Sequence, residues 1–172
     1  MRFEFTPTPK DYQKVLRTYY LSDRKLWILV LIFGIPEICC NLSYIAANGW
    51  QNSLLPILLL LFLPAFLLYM LVFTPWNYAQ KVKNDDRLKA KTTWIVSEEQ
   101  IIIKNEYSES KMTWEEYDRV IEARGYYMFF AQGQRGMTQM LPKRAFFTVD
   151  QELKFQKMVF NKIKKYRVLE YF

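Results

Sequence analysis

The chain has 172 residues, with 24 lysines and arginines against 17 aspartates and glutamates, a net charge of +7, and no histidine. The absence of histidine removes the commonest general base and the commonest zinc ligand together. The charge is also partitioned: residues 1–25 hold six cations and three acids, residues 26–80 hold Glu37 alone, and residues 81–172 hold 18 cations and 13 acids. Cations crowded on both sides of an apolar middle suit an anionic lipid surface, at about 1 kcal/mol per basic residue. That accounts for the surplus without a nucleic-acid partner.

Residues 2–5, Arg-Phe-Glu-Phe, alternate as a short strand does, and residues 6–9 interrupt it. Thr8 can cap a helix with Pro9 at its first position and Asp11 three residues on, a capping box that runs the helix to about Leu21. Tyr12, Val15, Leu16, Tyr19 and Tyr20 form its apolar stripe, opposite Lys10, Lys14 and Arg17. Packing on a soluble domain is expected of this stripe, ahead of lying on a membrane surface.

Two apolar runs follow, residues 26–47 and 54–74. Each is long enough to cross a hydrocarbon layer of about 30 Å at a rise of about 1.5 Å per residue. Residues 48–53, Asn-Gly-Trp-Gln-Asn-Ser, have the composition of a tight turn, so a transmembrane helical hairpin is predicted. Lys10, Lys14, Arg17, Arg24 and Lys25 precede it, Lys81, Lys83, Arg87, Lys89 and Lys91 follow it, and the turn carries no cation. By the positive-inside rule both termini are expected in the cytoplasm, with Trp27, Trp50 and Trp76 at the interfaces. A signal peptide fits poorly, because 25 residues precede the first run and no small-residue cleavage site follows it. Cys39 and Cys40 are adjacent within the first run, which disfavours a disulfide or a metal site.

Glu37 falls near the predicted bilayer midplane, where an acid is costly and marks a candidate site. Pro64, at similar depth on the returning helix, deprives the Leu60 carbonyl of its helical donor. Glu37 is expected to donate to such a carbonyl, or to pair with Glu37 or Asn41 of a neighbouring chain in a homo-oligomer. A proton or ion path is the sharper alternative, but Ser43, Pro56, Pro64 and Tyr69 make no polar stripe.

Residues 76–88 are predicted to continue the second helix, and from Lys91 the pattern turns to strands at 92–96, 101–105, 110–114, 119–123, 126–131 and 138–141. Turns are expected at 97–99, 124–125 and 132–136, giving a curled or closed antiparallel sheet. Thr148 and Gln151 then open a helix whose Leu153, Phe155, Val159, Phe160, Ile163 and Tyr166 fall within about 160° of its circumference. Lys154, Lys157, Lys162, Lys164 and Lys165 take the other face, expected to be solvated, with Lys154, Lys157 and Lys165 as candidate lipid contacts.

Catalysis is not expected. Glu115 and Glu116 are adjacent and so diverge, Gly133 and Gly136 flank what reads as a hairpin tip, and no nucleophile has a histidine to activate it. No catalytic residue, cofactor or metal is predicted.

Several features together resemble the YcxB-like proteins, small bacterial membrane proteins. They are Phe5-Thr6-Pro7-Thr8 before Asp11-Tyr12, the two-span hairpin, Trp114 after a strand, the strand 127–130, and Leu141-Pro142-Lys143-Arg144-Ala145-Phe146 before the last helix. The resemblance implies a bent antiparallel sheet capped by a C-terminal helix, similar to bacterial pleckstrin-homology-like folds. It does not bring phosphoinositide recognition, because the loop that is basic in lipid-binding pleckstrin domains here reads Ser97-Glu98-Glu99-Gln100. Lys143 and Arg144 are the remaining candidate anion contact. The expected protein is thus an α+β membrane protein of three segments: residues 1–24, a cytoplasmic strand and amphipathic helix; residues 25–76, the hairpin; and residues 77–172, a cytoplasmic YcxB-like domain. Expected location is the bacterial inner membrane, and expected function a non-catalytic binding or regulatory module whose partner is an unknown cytoplasmic protein. The alternative is an oligomeric membrane-active effector or immunity-type protein whose domain senses or blocks a partner.

Overall fold

The computed structural model describes residues 1–134 and 136–169. After strand β1 (Arg2–Phe5) and helix α1 (Pro9–Ser22), two long apolar helices follow, α2 (Arg24–Asn48) and α3 (Leu54–Asn84), of 25 and 31 residues. Both are long and apolar enough to cross a membrane. Gly49 ends α2 at φ 75°, a backbone region open to glycine without steric cost, and a 3-10 turn over Trp50–Asn52 reverses the chain. The returning helix lies close. A Cβ on Gly34 would stand 2.7 Å from a Leu63 methyl.

Each long helix contains one π turn, Val30–Gly34 and Tyr69–Phe73, and each turn ends two residues before a proline, Pro36 and Pro75. The coincidence has a steric cause. A proline ring clashes with the carbonyl four residues back and cannot donate to it, and a widened turn moves that carbonyl off the axis.

The remaining chain forms two sheets. In the first, β1, β2 (Thr92–Val96), β3 (Gln100–Lys104) and β4 (Glu109–Thr113) lie in that order, all antiparallel. β5 (Tyr117–Ala123), β6 (Tyr126–Ala131), β7 (Gln139–Pro142) and β8 (Lys165–Val168) make the second, in the order β7-β6-β5-β8, with β8 parallel to β5. Helix α4 (Val149–Lys162) buries Phe155 and Val159 against Phe3, Trp94, Tyr127 and Phe129. Edge-to-face rings tighten this core: Phe155 meets Phe3 at 5.5 Å and Tyr127 at 5.2 Å between centroids. A second apolar cluster places Val15 of α1 on Ile121, Met128 and Phe130 of the second sheet.

The fold corrects three expectations. The single antiparallel sheet is two sheets, one of them mixed. The last helix stops at Lys162, so Tyr166 and Lys165 belong to β8 rather than to a helix face. Leu153 and Phe160 are 46% and 65% exposed, outside the buried stripe. The helical sector held Tyr166 by coincidence of spacing, while residues 165–168 also alternate as a strand; pairing with β5 decides between the two.

Candidate functional site

Pro142 closes β7, and the three residues after it form a 3-10 turn that sends two cations in different directions. Arg144 reaches back to the start of α1, donating from both terminal nitrogens to Asp11, at 2.5 and 2.6 Å, and to the Thr6 carbonyl at 3.1 Å. Tyr126 donates to the same carboxylate at 2.9 Å, and the Thr8 capping box supplies two more donors. Burial disfavours the charged form of Asp11, but Arg144 and the hydroxyl and amide donors outweigh it and hold its pKa at about 2. Burial first, and then the hydrogen bond to Asp11, pushes Tyr126 up to about 12. Lys143 turns the other way, pairing with Glu122 at 2.6 Å and Glu152 at 3.0 Å, above the Tyr127 ring. Glu122 is buried in β5 and also accepts from Gln156 and Tyr166; these donors keep its carboxyl ionised against the penalty of burial. Both candidate anion contacts, Lys143 and Arg144, are therefore engaged with carboxylates of their own chain.

Helix α1 joins the two parts of the molecule. Its Tyr12 hydroxyl donates to the Leu88 carbonyl at 3.3 Å, and its ring lies 5.6 Å from that of Tyr78. Arg17 donates from Nε to the Leu71 carbonyl at 3.1 Å. Leu71 stands four residues before Pro75 and so is the carbonyl the proline leaves without a helical donor.

Where α1 gives way to α2, a cleft of about 850 Å³ opens between the start of the hairpin and the β5–β8 edge of the second sheet. Arg24 and Lys25 line one side, and Arg119, Lys165 and Arg167 the other, with Asp23 and Asp118 as the acids. Five cations against two carboxylates leave the cleft positive. Lys165 is paired with Asp118 at 2.6 Å, and Arg167 donates to the Ser22 carbonyl at 3.2 Å. Arg119 lies with its guanidinium carbon 4.3 Å from the Phe130 ring centre, and its buried Nε has no hydrogen-bond partner among the described residues.

Residues 96–159 match the family model of YcxB-like proteins. No curated protein and no solved structure matches the chain. The YcxB-like segment opens at the last residue of β2 and ends inside α4, so it contains Lys143, Arg144, Glu122 and Arg119. β1, α1, the hairpin and β8 lie outside it. Two of the stretches that carry the resemblance, the opening one through Asp11 and the Pro-Lys-Arg-Ala-Phe run, meet in the Asp11–Arg144 pair. That pair ties the YcxB-like segment to the N-terminal helix.

The other predicted residues are dispersed. Lys154 and Lys157 are exposed on α4, Lys165 alone of the candidate lipid contacts lines the cleft, and Pro64 is exposed on α3. Asn41 donates to the Glu37 carbonyl one turn back in its own helix at 2.8 Å. Glu37 itself is half-buried on α2. Cys39 and Cys40 are free thiols, and among the described residues no three of Cys, Asp and Glu gather as a metal site. Sequence reasoning missed Arg119 and Arg167 as site residues. Each is followed by a valine in its strand, a pattern that marks one face of a sheet but says nothing of what the face meets.

Proposed function

We propose that the protein is a non-catalytic binding or regulatory module, held in a bacterial inner membrane by the α2–α3 hairpin with both termini in the cytoplasm. The exposed apolar surface of the two long helices carries this reading: Phe33, Leu61 and Leu68 are 66%, 59% and 63% exposed, a surface that needs lipid or a partner to cover it. The charge pattern supports the orientation, because cations gather where α2 begins and α3 ends and the connecting turn has none. Strand order supports the pleckstrin-like comparison, with a four-stranded sheet, a three-stranded meander and then a helix. The bracket through α1 would let occupancy of the domain be felt by the hairpin, which is the mechanical requirement of a regulator.

The test is accessibility in intact cells. With Cys39 and Cys40 replaced by alanine, a single cysteine at Asn52 should react with a membrane-impermeant maleimide added outside, and one at Glu106 only after lysis. Labelling of Glu106→Cys from outside, or loss of the chain from membranes on alkaline carbonate washing, would refute the proposal.

A further inference from the structure

We propose that the cleft between Arg24–Lys25 and the β5–β8 edge binds the phosphate of an anionic phospholipid headgroup, with Arg119 as its fixed donor. The inference rests on the reading of the hairpin as a membrane anchor and names the ligand class of the module it holds. Three observations converge on it. The cleft is positive, with five cations and two acids, and Asp118 is already taken by Lys165. Arg119 is held by its stacking on Phe130, and its Nε–H is buried without an acceptor among the described residues. The ring fixes this guanidinium in the wall of the cleft, and a phosphate oxygen is the strongest common acceptor for its outer N–H groups.

Position decides the source of that phosphate. Arg24 and Lys25 are the last cations before the run that holds no lysine or arginine through residue 80. The cleft therefore lies at the level where headgroups stand if α2 crosses the bilayer. Directly below, Ile28, Leu29 and Leu31 are 51%, 53% and 58% exposed, the apolar surface that acyl chains require. A lipid docked there would bridge the hairpin and the β5–β8 edge, so its headgroup would bear on the contact between Arg167 and the Ser22 carbonyl. This places lipid recognition away from the acidic 97–100 loop and away from Lys143 and Arg144, which are engaged internally.

The full-length chain in neutral detergent is titrated with short-chain phosphatidylglycerol, short-chain phosphatidylcholine and inorganic phosphate, followed by calorimetry. Saturable phosphatidylglycerol binding is expected, with phosphatidylcholine and inorganic phosphate at least about tenfold weaker. At about fivefold per charge removed, Arg119→Gln weakens it about fivefold and Arg24→Gln with Lys25→Gln roughly 25-fold. Arg24 and Lys25 are exposed, so that pair keeps the test decisive if Arg119→Gln fails to fold. Lys154→Gln with Lys157→Gln, on the far helix, should leave binding unchanged. An equal loss in that control would mean diffuse attraction and overturn the proposal; inorganic phosphate binding as tightly as the lipid would overturn the headgroup assignment. Absence of saturable binding by a chain that still resists carbonate washing would refute the cleft and leave the anchor standing.

Discussion

Arg144→Ala should detach α1 from the second sheet at a cost that can be worked from the geometry. Arg144 makes two charge-assisted bonds to Asp11, whose side chain is 5% exposed, while its own is 47% exposed. Removing one partner of a fully buried pair costs about 3–5 kcal/mol, and water at the half-exposed arginine reduces that to about 2–3 kcal/mol here. Acid titration gives an independent measure. The Asp11 carboxyl sits at about 2 instead of its ordinary 3.8, which corresponds to about 2.5 kcal/mol for all its donors, net of burial. Because the folded pKa is depressed, that stability is present in full above about pH 4 and is lost as pH falls towards 2. Urea titrations of the detergent-solubilised chain, read by tryptophan fluorescence, should show this acid limb in the wild type. It should be smaller in both Arg144→Ala and Asp11→Asn, the remainder belonging to Glu122, whose donors also hold its carboxyl below the ordinary range against the penalty of burial. A double-mutant cycle should return a coupling of about 1–2 kcal/mol. Additive single costs, or an acid limb of unchanged size in Asp11→Asn, would refute the reasoning.

Glu122→Leu removes the acceptor shared by Lys143, Gln156 and Tyr166. It should destabilise the domain by about 3 kcal/mol, with hydrogen exchange at residues 165–168 rising first if β8 depends on that network. Gly34→Leu should force α2 and α3 apart and cost about 1–3 kcal/mol, whereas Gly34→Ala needs only a rotation of the Leu63 side chain; equal melting temperatures for the two variants would contradict the close approach. Glu37→Leu should reduce the oligomer size in detergent if its carboxyl pairs between chains, and an unchanged size and melting temperature would remove that role.

Local chemistry is legible in the order of residues alone. The Thr8 and Thr148 caps, the strands at residues 92–96 and 126–131, and two long apolar helices joined by a glycine turn stand where their spacing places them. Pro64 directs attention to the Leu60 carbonyl, yet the same rule applied to Pro75 points to Leu71, the carbonyl that Arg17 occupies. The donor is 54 residues away, and no local pattern names it. Lys143 and Arg144 show the same limit: their type and spacing suit an anion, and only the folded chain reveals that the anions are Glu122, Glu152 and Asp11.

By itself the sequence determined what each stretch can become, because helix caps, apolar runs and strand alternation act over a few residues through backbone hydrogen bonding and burial. Tertiary structure alone decided which stretches meet. β8 joins β5 in parallel, Arg144 finds Asp11 across 133 residues, and cations from residues 24–25, 119 and 165–167 gather at one cleft. Those pairings follow from strand register and chain path, which are set by the packing of the whole and have no signature in any one segment.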